Sequence, residues 1–301
     1  MSSKIKIGFV GLGNMGSGMA SNLLKFTQAH GHDLLVLDLN QSAVDSLVTL
    51  GAIDGESIAN IAQQVDVLFT SLPSAKEITE VALGNAGLLQ NLKANSIWFE
   101  TSTNELSEWQ KILADAPESL CLVDAPVTGG AEGAAAGTLT MLLGIDQQVL
   151  KSHAQILASF TAKAVRLGPS GSGYVAKLCQ LHLNYLVAQG IGETMMLGAK
   201  ANIDLQTLYG VLQSSCAQSY VVDSYIPKVL DGSYDESFTL GLATKDMRLI
   251  SELGEHLDVP LSLADSVYAS YQKAATTYGA DEPHLKIVKL IEDQAGQLLR
   301  S

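Results

Sequence analysis

The chain has 301 residues, enough for two domains or one large one with a sizeable core. Apolar residues make up 47% and charged residues only 16%, so much of the chain is expected to be buried, part of it in subunit contacts. A net charge of −13 argues against nucleic acid and against an anionic membrane surface, while a locally positive site still leaves room for an anionic substrate.

The first predicted element is a short β-branched strand, Ile5 to Val10, which turns sharply at Gly11 into a helix over Met15 to Lys25. Gly11, Gly13 and Gly16 form the G-x-G-x-x-G spacing between that strand and that helix. In this arrangement the first glycine allows the tight turn and the second lets backbone approach a pyrophosphate. The third lets helix and strand pack closely, and the helix N-terminus faces the phosphates. A second apolar run, Asp33 to Leu37, ends at Asp38, 22 residues after Gly16. That offset fits the carboxylate that holds the adenosine ribose hydroxyls of NAD. The competing reading is a glycine-rich turn that binds no nucleotide.

Strand-like and helix-like segments then alternate. Strands are predicted at Val65–Thr70, Ser96–Glu100, Leu120–Asp124, Leu139–Leu143 and Ala164–Leu167, with helices from about Ser74 and Asn104. This alternation implies a mostly parallel, doubly wound α/β sheet of Rossmann type over residues 1–168. The character changes after Gly168. Helices are predicted over 172–200, 204–214, 218–229, 239–256, 261–277 and 284–299, with Asp204 as an N-cap, so residues 169–301 form an all-α domain.

Cys121, Cys179 and Cys216 lie far apart without metal spacing, and two of them are flanked by apolar residues and read as reduced core thiols. The histidines form no metal-binding pattern. No segment has the length of apolar sequence that spans a membrane, so the expected compartment is the cytoplasm by default.

Two further stretches carry possible chemistry. Thr128-Gly129-Gly130 follows a strand and opens a small-residue helix, where successive backbone N–H groups can hold a carboxylate. A glycine-rich βα connection with no ligand explains the same residues equally well. Lys177 lies in an apolar stretch with Tyr174, Val175, Leu178 and Leu181, where desolvation lowers a lysine pKa toward neutrality. The bland alternative extends its stem along the apolar surface with its head in water, and spacing does not choose between them.

The segments G-L-G-N-M-G-S-G-M-A-S-N-L, S-L-P, E-T-S-T, D-A-P-V-T-G-G, G-S-G-Y-V-A-K and A-T-K-D occur in this order from the opening strand to Asp246. Together they resemble the β-hydroxyacid dehydrogenase family, that of 3-hydroxyisobutyrate dehydrogenase and tartronate semialdehyde reductase. The resemblance implies that Gly11, Leu12, Gly13, Asn14, Met15 and Gly16 bind the pyrophosphate, with Leu72, Pro73 and Thr103 beside the nicotinamide. It implies a substrate-carboxylate loop at Thr128, Gly129 and Gly130, a catalytic Lys177, and Lys245 as the helical-domain lysine that closes on the cofactor. Asp38 repels a 2′-phosphate and Leu39 follows it instead of an arginine, so NAD is expected over NADP. The implied reaction moves hydride between nicotinamide and a small 3-hydroxyacid or its semialdehyde, in a homodimer or homotetramer.

One position departs from the family pattern. Asparagines stand three and four residues after the family's lysine, whereas this chain has Gln180 and Leu181. Asn184 returns to within about 20° of Lys177 on a helix, two turns on. Gln180 or Asn184 therefore supplies the missing amide, or the substrate differs. An imine reductase-like relative and a nucleotide-binding regulatory protein without turnover are the alternatives.

Overall fold

The structure, a computed structural model, describes residues 4–300. It divides into two compact units, one running up to Lys177 and the other from Leu178 onward.

The first unit contains β1 (Lys6–Val10), α1 (Gly16–His30), β2 (Asp33–Leu37), α2 (Gln41–Thr49), β3 (Ile53–Asp54), α3 (Ile58–Gln64), β4 (Val67–Thr70), α4 (Ala75–Leu83), α5 (Leu88–Asn91) and β5 (Ile97–Glu100). It continues with α6 (Leu106–Asp115), β6 (Cys121–Asp124), β7 (Val127–Thr128), α7 (Gly130–Ala136), β8 (Leu139–Gly144), α8 (Gln147–Leu157) and β9 (Thr161–Gly168). Helix α9 (Ser172–Lys200) starts here and runs into the second unit.

Among the described residues nine strands join one sheet in the order β3-β2-β1-β4-β5-β6-β8-β7, with β9 against β8. The strands from β3 through β6 are parallel, and β8 runs antiparallel to β6 and β7. This is the doubly wound order expected of a Rossmann-type sheet, with its reversal between β1 and β4. The strands read as unbroken apolar runs because helices cover both faces. Alternate residues serve the two sides. Phe9, Phe69 and Phe99 stack across β1, β4 and β5 on one side, with centroids 6.1 and 5.1 Å apart. Leu68, Trp98 and Leu122 belong to the core on the other side.

Helix starts follow their caps. Asn40, Ser57, Ser74 and Asp146 each accept a backbone N–H from the first turn of α2, α3, α4 and α8. The helix expected from Asn104 begins later, at Leu106, because the Asn104 side chain accepts the Glu105 N–H at 2.8 Å and Glu105 stays extended. The short β3, β7 and α5 are missing from the sequence reading because segments of this size show no periodicity.

The second unit holds the rest of α9, then α10 (Leu205–Gln213), α11 (Tyr220–Leu230), α12 (Leu240–His256), α13 (Ser262–Tyr278) and α14 (Lys286–Ala295). Asp204 caps α10 as expected, accepting the Thr207 N–H at 2.8 Å. Leu178, Leu181, Tyr185 and Ala188 of α9 enter the helical core at helical spacing. The core-thiol expectation fails. Cys121 is half-buried, Cys179 is exposed next to the buried Leu178, and Cys216 is exposed in the turn between α10 and α11. Among the described residues no helix is long and apolar enough to cross a membrane.

Candidate active site

The strand register places Leu37, Val10, Thr70, Glu100 and Asp124 in one row across β2, β1, β4, β5 and β6. Within a few residues of these strand ends come the predicted site segments: Gly11–Gly16, Asp38, Leu72–Pro73, Thr103 and, through β7, Thr128–Gly130. The first unit therefore brings its predicted residues to one edge of the sheet, with the glycine loop at the switch in strand order.

The glycines of that loop answer to different constraints. Gly11 has φ +92°, and a Cβ there would lie 2.1 Å from the Ser71 carbonyl oxygen. A Cβ on Gly16 would lie 1.9 Å from the Gly11 carbonyl oxygen, so the helix start and the strand end need both glycines for packing alone. Gly13 is exposed, its φ is not positive, and a Cβ there meets nothing within 4 Å. No contact of the protein itself calls for glycine at this position, which fits a backbone kept bare for an incoming pyrophosphate. Leu12 is buried, while Asn14 is exposed and Met15 half-buried.

Asp38 is half-buried and accepts the Leu12 N–H, and at 2.7 Å the Asn40 N–H. Its carboxylate thus sits against the glycine loop, where a ribose would lie. Leu39 beside it is fully exposed. The Leu72 N–H donates to Ser102 Oγ at 2.7 Å, which joins the loops after β4 and β5. Leu72 and Thr103 are half-buried and Pro73 is exposed. Gly129 and Gly130 are exposed with φ +130° and +67°, beside half-buried Thr128.

Helix α9 is anchored to the same edge by two acids that the sequence reading left out. Asp124 accepts the N–H groups of Gly171 and Gly173, both at 2.7 Å, and of Tyr174 at 3.2 Å, and the Ser170 hydroxyl donates to it at 3.2 Å. It caps a helix that starts far along the chain. Burial pushes its carboxyl up to about 6 against the pull of these bonds. Glu100, completely buried, accepts the Tyr174 hydroxyl and both the hydroxyl and the N–H of Ser102. Burial raises this carboxyl to about 6 as well. The signal for both was present, since each ends an apolar strand run as Asp38 does. Lys177 lies half-buried one turn after Tyr174.

In the second unit, Gln180 and Asn184 are half-buried on α9, and Asn184 Oδ1 accepts the Tyr225 hydroxyl at 3.2 Å. Leu181, which replaces the family asparagine, is buried in the helical core. Lys245 on α12 pairs with Asp246 at 3.3 Å, and buried Asp246 accepts the Tyr185 hydroxyl at 2.8 Å. Among the described residues no three His, Cys, Asp or Glu side chains gather as a metal site.

A glycine loop at the switch point, an acid at the end of β2 held against it and a lysine on α9 are the parts expected of an NAD(P)-dependent oxidoreductase. Comparison with known proteins narrows the class. Residues 6–168 match the family of the NAD binding domain of 6-phosphogluconate dehydrogenase, and residues 171–291 match that of the NAD-binding region of NADP-dependent 3-hydroxyisobutyrate dehydrogenase. The chain is 32% identical over 300 residues to the NAD-dependent L-serine dehydrogenase of Pseudomonas aeruginosa, covering 97% of this chain and 99% of that one. It is 30% identical to the 2-(hydroxymethyl)glutarate dehydrogenase of Eubacterium barkeri, covering 98% of each. The solved 3-hydroxyisobutyrate dehydrogenase of Mycobacterium tuberculosis with L-serine superposes with a TM-score of 0.86 at 23% identity, over 96% of this chain and 99% of that one. The chain belongs to the β-hydroxyacid dehydrogenase family.

Proposed function

We propose that this enzyme oxidises a small 3-hydroxyacid, or reduces the matching semialdehyde, with Lys177 as general acid/base and NAD preferred over NADP. The observation that carries the reading is the placement of Lys177: its helix is pinned through Tyr174, Asp124 and Glu100 to the sheet edge that bears the glycine loop. The substrate names of its relatives, L-serine, 2-(hydroxymethyl)glutarate and 3-hydroxyisobutyrate, share one chemical unit, a hydroxymethyl group on the carbon that bears the carboxylate. We assign that unit to the substrate of this chain.

Residues 1–168 bind the dinucleotide, and residues 169–301 complete the substrate site and make the oligomer contacts. The loop from Gly11 to Gly16 holds the pyrophosphate through the backbone N–H groups that follow Leu12, since those of Gly11 and Leu12 are given to Leu37 and Asp38, and Asp38 also takes the ribose hydroxyls. Leu72, Pro73 and Thr103 bound the nicotinamide side, and Lys245 closes on it. The bound nicotinamide supplies the hydride acceptor or donor. Thr128, Gly129 and Gly130 hold the substrate carboxylate, so the hydroxymethyl carbon is placed by geometry. In oxidation, neutral Lys177 takes the hydroxyl proton on Nζ as hydride leaves the carbon. In reduction its ammonium form returns a proton to the developing alkoxide. Gln180 or Asn184 supplies the amide that Leu181 does not. Exposed Leu183 and Leu197 on α9 and Leu263 on α13 support a homodimer or homotetramer.

The imine reductase and regulatory readings have less support, because the full-length relatives above are hydroxyacid dehydrogenases and Lys177 is retained. The test is an activity screen with NAD and NADP over 3-hydroxyisobutyrate, serine, glycerate, threonate and 4-hydroxybutyrate, and over their semialdehydes. Activity on a hydroxymethyl acid with NAD, reduced roughly 10²–10⁴-fold in Lys177→Ala, is the expected result. Full activity in that variant overturns the mechanism.

A further inference from the structure

Glu100 stands where the sheet would be expected to place an apolar side chain. Ile97, Trp98 and Phe99 before it are buried, and Glu100 is as completely buried as they are. A carboxylate in such a place is unfavourable unless donors surround it. Here they come from three separate segments. From the loop after its own strand, Ser102 donates its hydroxyl and, at 3.1 Å, its N–H to Oε1. From β4 the Thr70 hydroxyl reaches Oε1 at 3.4 Å, and this hydroxyl is itself fixed by the Trp98 indole N–H at 2.8 Å. From the first turn of α9, the Tyr174 hydroxyl donates to Oε2. Tyr174 is fully buried, and its hydroxyl is held well above its usual pKa by burial and by Glu100, so it stays a donor.

Ser102 also accepts the Leu72 N–H at 2.7 Å. A continuous chain therefore runs from Leu72 N–H to Ser102 hydroxyl, to the Glu100 carboxylate, to Tyr174 hydroxyl, and so to the helical turn just before Lys177. Its two ends are the loop assigned to the nicotinamide side and the helix of the general acid/base. The proposed reaction would need the nicotinamide side and the proton-transferring lysine held in register, and a misplacement of about 1 Å can lower such a rate about 10²-fold.

We propose that Glu100 is a positioning residue for the hydroxyacid reaction, one buried carboxylate that sets the Lys177 helix against the loops carrying Leu72 and Thr103. It touches neither substrate nor cofactor. The inference rests on the role assigned to Lys177 above. Apolar packing alone does not explain the residue, since Trp98, two residues earlier on the same side of the strand, fills that core with an apolar ring.

The test uses the full chain with Glu100→Gln, Tyr174→Phe and the double variant, assayed on the best substrate from the screen. Glu100→Gln is expected to lower kcat roughly 10- to 100-fold with both KM values within about threefold of wild type. The primary deuterium isotope effect on kcat rises, because the chemical step becomes slower. Tyr174→Phe removes one hydroxyl from a packed ring and gives a smaller loss of the same kind. The double variant is no worse than Glu100→Gln, since both changes cut one link. A kcat within twofold of wild type in both single variants overturns the proposal, as does a loss confined to thermal stability or cofactor affinity. Amide exchange gives a readout independent of turnover: Tyr174→Phe, although it lies on α9, is expected to speed exchange at Ser71 and Leu72 and at residues 101–103. Unchanged exchange there sinks the positioning role even if the enzyme is active. A wild-type protein that turns over no hydroxyacid overturns the assigned reaction and leaves the exchange result to decide the link.

Discussion

Glu100 and Asp124 are register partners across β5 and β6, both completely buried, and each binds the first turn of α9. Two adjacent parallel strands thus end in carboxylates that face a single helix start. Asp124 takes backbone N–H groups that a helix N-terminus leaves without partners, while Glu100 takes a side-chain hydroxyl one step further in. The parallel sheet fixes where the strands end, and these two acids carry that fixed edge over to the helix of Lys177.

Replacing Asp124 tests the backbone half of this anchor. The amide introduced by Asp124→Asn keeps one acceptor but turns an NH₂ toward the N–H groups of Gly171 or of Gly173 and Tyr174. Leaving such a buried donor unpaired costs ~1–3 kcal/mol. Denaturant unfolding of wild type and variant at neutral pH should show a loss of that size. An unchanged midpoint would show that the helix start is held by other contacts.

Glu100 gives a pH signature of opposite sense to the usual acidic residue. Burial lifts its carboxyl from 4.5 to about 6, against the hydrogen bonds that lower it. Between those values the folded protein keeps a proton that the unfolded chain has released. Its contribution to stability is therefore complete below about 4.5 and is lost as pH rises through about 6. The difference amounts to ~2 kcal/mol. Asp124 shifts in the same direction, so the comparison must be wild type against Glu100→Gln, in which Asp124 cancels. The stability of wild type relative to the variant should fall from about pH 4.5 to about pH 7, and a constant gap would contradict the assignment.

The sequence made the parallel sheet, the cofactor loop and the helical second half readable because each has a period or a spacing. Asp38 stands out for the same reason, as an acid at a set offset from Gly16, and the structure sets its carboxylate against the glycine loop. Glu100 and Asp124 share its local pattern, yet their roles come from partners far along the chain at Gly171 to Tyr174, and no spacing encodes a contact of that length. Leu181 shows the reverse case. Its departure from the family pattern was visible at once, but its burial with Leu178 and Tyr185 is a property of packing.

Gly13 separates a cofactor requirement from a folding one. A Cβ at Gly13 meets nothing, whereas one at Gly16 collides with the Gly11 carbonyl. Gly13→Ala should leave the unfolding midpoint within ~0.5 kcal/mol of wild type, as substitutions free of contacts do. Its NADH affinity, read by fluorescence titration, should fall by roughly 10-fold or more, because a methyl group then stands between backbone and pyrophosphate. Gly16→Ala should lose stability before any question of binding arises. Equal NADH affinity in Gly13→Ala and wild type would remove the pyrophosphate from this loop.

Asn184 is the stronger of the two amides to replace the family asparagine. Its Oδ1 accepts the Tyr225 hydroxyl, which burial pushes up to about 12 and so keeps protonated as a donor. With the oxygen held, Nδ2 is the atom that the proposed role of Asn184 would turn toward a substrate oxygen. Asn184→Ala should raise KM for the hydroxyacid roughly 10-fold, the effect of losing one such hydrogen bond, while KM for NAD stays unchanged. Tyr225→Phe should shift the same parameter by less, since it frees the amide without removing it. Gln180→Ala provides the contrast on the same helix. If neither Asn184→Ala nor Gln180→Ala alters kcat/KM on the true substrate, no amide on α9 takes the place of the missing asparagine, and the substrate itself must differ in what it asks of that helix.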